Sequence, residues 1–121
     1  MNKDERIPLG LMLDRARKVL EKVGDGSRED FDKDENLRLA LAFLIQAVGE
    51  AARKVPETIR LTRTEIPWKR IMGMRHRIVH DYMNIDEDII WKVATVHIPQ
   101  LIEQLIDLGS LGGDERESID E

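Results

Sequence analysis

Apolar residues recur every three or four positions in four separate segments of this 121-residue chain, and that period dictates helices. Leu9, Leu13, Ala16, Leu20 and Val23 form the first stripe. Pro8 sits where a first helical turn is expected, and Gly24-Asp25-Gly26-Ser27 is turn chemistry that ends the helix. The second stripe, Leu37, Leu41, Leu44, Val48, Ala51 and Val55, runs from a cap at Asp34 to Pro56, before which the chain leaves the helical region. A connector of a turn or two contains Ile59 and Leu61. The third helix is predicted to start at Pro67, to carry Trp68, Ile71, Met72, Arg75, Ile78, Val79 and Tyr82, and to end between Asp81 and Asn84. The fourth starts from a cap at Asp86, with Ile85 and Ile90 placed as a hydrophobic staple. It continues through Ile89, Val93, Val96, Leu101, Leu105 and Leu108, with a kink expected at Pro99. No segment alternates apolar and polar residues long enough to predict a strand. The expectation is an all-α fold, an antiparallel bundle of four main helices plus a short connector helix. Residues 1–108 form the single expected domain, and 109–121, glycine-rich and then acidic, an expected flexible tail.

Composition removes several classes of function. The chain has no cysteine, which eliminates disulfides, thiolate nucleophiles and zinc ribbons and fits a reducing cytoplasm. Its five aromatics, Phe31, Phe43, Trp68, Tyr82 and Trp91, are too scattered for a sheet on which RNA bases stack. No apolar run approaches the ~18–20 residues of a membrane span. The opening MNKDERIPLG mixes acids with bases and lacks the continuous apolar stretch of an export signal, so a cytoplasmic location without membrane attachment is expected.

The net charge of −5 is unevenly distributed. Residues 53–80 carry 8 Lys/Arg against 2 Asp/Glu, whereas residues 81–121 carry 2 against 11. A basic segment between acidic flanks can present a local anion site, because screening leaves charges within ~8 Å dominant. From charge alone, the favoured reading is a solvated helical face. The segment ends in Met74-Arg75-His76-Arg77-Ile78-Val79-His80-Asp81-Tyr82, the most informative stretch of the chain. RNA is cut without a metal when its 2′-hydroxyl attacks the neighbouring phosphate, which needs a proton carrier near pKa 7 and a permanent cation for the phosphorane. Histidine and arginine have those properties.

Helix geometry constrains such a pair. At ~100° per residue, Arg75 and His80 lie about 140° apart around one axis. Either the helix breaks near His80, or the arginine of one chain meets the histidine of another across a two-fold axis; the second is favoured, since a dimer doubles the positive charge of the cleft. Other readings stay open. His76 and His80 are an i, i+4 pair that could bind a metal, although further ligands are not identifiable and no metal site is assigned. They could also be surface histidines, or His80 and Tyr82 a polar cluster at a helix end. On the second helix, Gly49 costs ~1 kcal/mol relative to alanine and points to close helix packing. Glu50 either orients Arg75 or another cation in the cleft, or is an exposed carboxylate. His97, Trp68 and Trp91 read as packing residues.

The stretch from Arg75 to Tyr82 resembles the Arg-x4-His-x-Tyr signature of the HepT-like ribonuclease toxins, members of the HEPN superfamily of all-helical nucleotide-binding domains and ribonucleases. Val48-Gly49-Glu50-Ala51 is similar to the family's Ile-Gly-Glu-Ala, and Ile66-Pro67-Trp68 to its Ile-Pro-Trp lead-in. Asn84-Ile85-Asp86, Ile90-Trp91 and Ile98-Pro99-Gln100-Leu101 resemble the segment that follows, so the similarity covers about residues 6–108. The resemblance implies a homodimer and a metal-independent RNase acting on RNA, with Arg75 and His80 as the catalytic pair; no cofactor is expected, and His76, Arg77 and Glu50 are supporting candidates from their own chemistry and place in the chain. It also implies a cognate MNT-family nucleotidyltransferase antitoxin that modifies Tyr82 with AMP. His76 departs from the asparagine commonest at that place, although histidine is accepted in the wider superfamily. The expected function is therefore the toxin of a two-gene toxin–antitoxin system; the alternative is a non-catalytic HEPN domain that binds a nucleotidyltransferase or a nucleotide.

Overall fold

The computed structural model describes residues 1–81 and 84–111, with side chains placed for 1–79 and 84–109. Helix α1 (Lys3–Val23) begins earlier than Pro8 predicts, because Asn2 and Glu5 form a reciprocal capping box, each side chain accepting from the other's backbone N–H at 2.8 Å. Pro8 therefore lies inside the helix and is buried. The helix ends at Gly24, which takes φ 50°, a conformation glycine adopts without steric cost. A short helix that the apolar pattern does not reveal, α2 (Arg28–Lys33), follows from a Ser27–Asp30 capping box and buries Phe31 completely. Asp34 then caps α3 (Glu35–Arg53) as expected, its carboxylate accepting from the Leu37 N–H at 3.0 Å. The connector holds α4 (Glu57–Arg60).

The predicted third helix is divided. Helix α5 (Trp68–Met72) and α6 (Met74–Ile78) meet at Gly73, and the chain then leaves the helical state. Val79–Asp81 (β1) pairs antiparallel with Asn84–Ile85 (β2) in a two-stranded ribbon, which the all-helical expectation omits. The Asp86 N–H donates to the Ile78 carbonyl at 2.7 Å, drawing the chain back. Asp86 caps α7 (Glu87–Lys92) at Ile89, as its sequence predicts. A single π turn (Val93–His97) joins α7 to α8 (Ile98–Leu111). Pro99 supplies no N–H and its ring crowds the carbonyl four residues back, so a wide turn just before it is the physical counterpart of the expected kink.

Helix α3 is central, touching α1, α2, α5, α6 and α7, while α8 packs along α1. The predicted stripe on α3 is buried from Leu41 to Ala51; on α1 the expected Leu9 and Ala16 are buried and Leu13 and Val23 are partly buried against the core, but Met12 and Val19 are buried in addition and Leu20 is exposed. Fully burying side chains such as Met12, Phe31 and Leu41 contributes ~1.5–3 kcal/mol each. No polar or charged residue is buried among the described residues. Salt bridges tie the periphery, Arg28–Asp88 at 2.7 Å joining α2 to α7 and Arg63–Asp107 at 2.7 Å joining the connector to α8. No helix among the described residues is long and apolar enough to cross a membrane.

Candidate functional site

Arg75 owes its position to two contacts between α3 and the α5–α6 segment. At Gly49 the helices approach so closely that a Cβ there would lie 2.6 Å from the Ile71 carbonyl oxygen. One turn further along α3, Arg53 Nη2 donates to the Met72 carbonyl at 2.9 Å. In an unbroken helix that carbonyl would accept from His76, whose N–H here donates to the Gly73 carbonyl at 3.1 Å instead. The break at Gly73 and the grip of Arg53 are thus one feature, and α6 sets out from it in a new direction.

On one side of α6, Arg75 lines an open groove with Arg15 of α1 and Lys54 at the end of α3. Leu11, Phe43, Gln46 and Glu50 complete its walls. The Arg75 side chain is exposed and has no hydrogen-bond or ion-pair partner among the described residues. Glu50 shares the groove, yet its ion pair is with Arg53, at 3.7 Å and well exposed. It does not pair with Arg75 among the described residues. Phe43 is 70% exposed, an unusual placement for a ring beside three cations. Such a groove can hold a phosphate, and the planar guanidinium of Arg75 is free to bind its oxygens in a bidentate way.

The other signature residues divide around this groove. His76 is exposed on α6. His80 belongs to β1, so the helix breaks before it and the ~140° separation expected of a continuous helix no longer applies. The same break removes the i, i+4 helical geometry on which a His76–His80 metal pair depends. The His80 side chain and Tyr82 lie outside the described residues. Arg77 lines a different hollow on the far side of α6, with Arg70 and His97. His97, expected to pack, is exposed at the rim of that hollow; Trp68 is buried and donates from Nε1 to the Arg63 carbonyl at 3.0 Å, and Trp91 packs on Phe31 with centroids 5.1 Å apart. The sequence pattern did not single out Arg70, although the net positive charge of residues 53–80 is a signal toward it, and it gave His97 only a packing role.

Comparison with known proteins gives this arrangement a lineage. The family model described as "Ribonuclease HepT-like" matches residues 12–108. A Caldanaerobacter subterraneus protein named "Putative RNase" is 33% identical over 97 residues, covering 80% of this chain and 87% of that one. A Methanocaldococcus jannaschii protein, also named "Putative RNase", is 25% identical over 118 residues, covering 97% and 98%. A "Probable ribonuclease HepT" of Thermococcus cleftensis is 32% identical over 73 residues, covering 60% of this chain and 66% of its own. No solved structure matches. The family match spans the Asp34 and Asp86 caps, the Gly49 contact and the whole of the Arg75–Tyr82 signature, and on that extent the chain belongs to the HepT-like ribonuclease family of the HEPN superfamily.

Proposed function

We propose that this protein is the toxin ribonuclease of a two-gene toxin–antitoxin system, cutting RNA by metal-independent transesterification in the cytoplasm. The observation that carries the reading is Arg75, a guanidinium without an ion-pair partner among the described residues in an open cationic groove, five residues before a histidine held in extended chain rather than on the same helix. In the proposed reaction the RNA 2′-oxygen attacks phosphorus as it gives up its proton, and the bond to the 5′-oxygen breaks as that oxygen gains one. His80 moves these protons and Arg75 stabilises the phosphorane charge. His76 and Glu50 support the groove's polarity, and Arg77 adds charge from the opposite side of α6. The products are a 2′,3′-cyclic phosphate and a free 5′-hydroxyl.

The active unit in this reading is a homodimer with its cleft between protomers. The partner is an MNT-family nucleotidyltransferase antitoxin that silences the enzyme by attaching AMP to Tyr82. Added bulk and negative charge there repel the RNA phosphate. Incubating the purified protein with total RNA in EDTA tests the proposal. Cleavage leaving cyclic phosphate ends supports it, whereas activity that requires added zinc overturns the metal-free route. An Arg75→Ala/His80→Ala double variant indistinguishable from the wild type on RNA would favour a non-catalytic binding domain.

A further inference from the structure

Beyond the Arg75 groove, the α5–α6 segment faces a second concavity. Ile71, Met74, Val93, Ile98 and Leu101 give it an apolar floor, and Arg70, Arg77 and His97 stand at its mouth. Lys92 adds a fourth basic group near His97. None of Arg70, Arg77 and Lys92 is in an ion pair with a carboxylate among the described residues, although the chain as a whole is acidic. Like charges gathered without counter-charge repel one another, and a bound anion relieves that cost. The gathering also acts on His97, whose imidazole is held below its ordinary pKa by burial first and then by Lys92, Arg77 and Arg70. His97 itself ends the π turn, a backbone irregularity that recurs at functional sites.

An anion alone does not account for the apolar floor. A ligand that uses both parts has a charged group and a flat or apolar body. Gln100 and Gln104 also line the concavity, and neither side-chain amide has a hydrogen-bond partner among the described residues. Each offers both a donor and an acceptor, as the edge of a nucleobase does. An acyl chain would leave both amides unused.

We propose that this concavity is a second ligand site that takes a nucleoside phosphate, with the base over Ile98 and Leu101, its edge read by Gln100 and Gln104, and the phosphate among Arg70, Arg77 and His97. The ligand is either a free nucleotide or one unit of an RNA strand that crosses α6 from the Arg75 groove. Only the second source rests on the RNase reading.

The test is site-resolved nuclear magnetic resonance with adenosine 5′-monophosphate, inorganic phosphate and a 2′-O-methyl tetranucleotide, which lacks the 2′-hydroxyl needed for cleavage. Adenosine monophosphate should shift the His97 ring and the Ile98 and Leu101 methyl resonances saturably, with inorganic phosphate at least tenfold weaker. An Arg70→Gln/Arg77→Gln variant, both positions being exposed, should keep the helical circular dichroism signal and weaken nucleotide binding at least tenfold. Gln104→Ala should weaken the nucleotide but not phosphate. Tetranucleotide binding at least tenfold tighter than the mononucleotide, and lost in the double variant, assigns the site to RNA; equal affinities assign it to free nucleotide. Equal shifts by phosphate and nucleotide, tighter binding of decanoate than of nucleotide, or affinity undiminished in the double variant would each overturn the proposal. Nucleotide binding that persists in a protein with no RNase activity separates this site from the fate of the catalytic reading.

Discussion

Replacing Gly49 with alanine tests the contact that seats the functional segment on α3. The added Cβ would sit 2.6 Å from the Ile71 carbonyl oxygen, 0.8 Å inside the 3.4 Å at which ordinary contact begins. The obstructing atom is backbone, so α5 must move rather than a side chain rotate. Overpacking of this kind costs ~1–3 kcal/mol, here toward the upper end, and is offset by the ~1 kcal/mol that alanine gains over glycine in a helix. The expected net loss is about 1–2 kcal/mol, or a fall in Tm of roughly 4–10 °C for a domain of this size. Gly10, in the exposed face of α1 with nothing within 4 Å of its Cβ position, is the internal control. Gly10→Ala should raise stability by ~0.5–1 kcal/mol through propensity alone. Guanidinium denaturation followed by circular dichroism gives both values on one scale. Because α5 leads directly into Arg75, Gly49→Ala should also lower RNA cleavage at temperatures where the protein is folded. A Gly49→Ala protein as stable as Gly10→Ala would show that α5 yields freely, and the argument that this glycine positions Arg75 would be wrong.

Three further outcomes are expected. Arg75→Ala and His80→Ala should each lose most RNA cleavage while keeping the helical circular dichroism signal, and mixing the two inactive proteins should restore activity if each protomer supplies one residue; no recovery despite demonstrated subunit exchange would place both in one chain. If the proposed partner is a nucleotidyltransferase, co-expression with it should add AMP to the wild type but not to Tyr82→Phe by intact-mass spectrometry, and modification that persists in the variant would remove Tyr82 as the acceptor. The His97 imidazole should titrate below the ordinary 6.5, rising toward that value in Arg77→Gln. Since its folded value is the lower one, the unfolded chain binds the extra proton first, so this group's contribution to stability is intact above pH ~6.5 and declines as pH falls toward the folded value. A His97 resonance that titrates at or above its ordinary pKa would contradict the cationic setting of the second concavity.

The features legible from sequence are those made by groups within a few residues of one another. Asp34 and Asp86 cap their helices because a short side chain reaches an N–H three positions on, and Gly24 ends α1 because its own φ allows the turn. The α3 stripe and the signature from Arg75 to Tyr82 are likewise patterns along the chain. Even the packing role of Gly49 was readable, since a glycine kept inside a helix needs a reason. The α1 face was legible only in part, because two neighbouring stripes share Leu9 and Ala16, and only contact with α3 and α8 buries Met12 and Val19 more deeply than Leu13 and Leu20.

What tertiary structure alone decided is the course of the chain around the site. Arg53, 19 residues away, takes the Met72 carbonyl from His76, and the Asp86 N–H takes that of Ile78. Between them these two captures break a helix that periodicity extends to Tyr82, place His80 in a strand, and send Arg75 and Arg77 to opposite concavities. Local sequence singled out Arg75 and Glu50 as candidates, whereas Arg15 and Lys54 join them in the groove only through the fold. Their arrangement depended on backbone carbonyls that find donors from distant parts of the fold, and a helical period carries no information about such bonds.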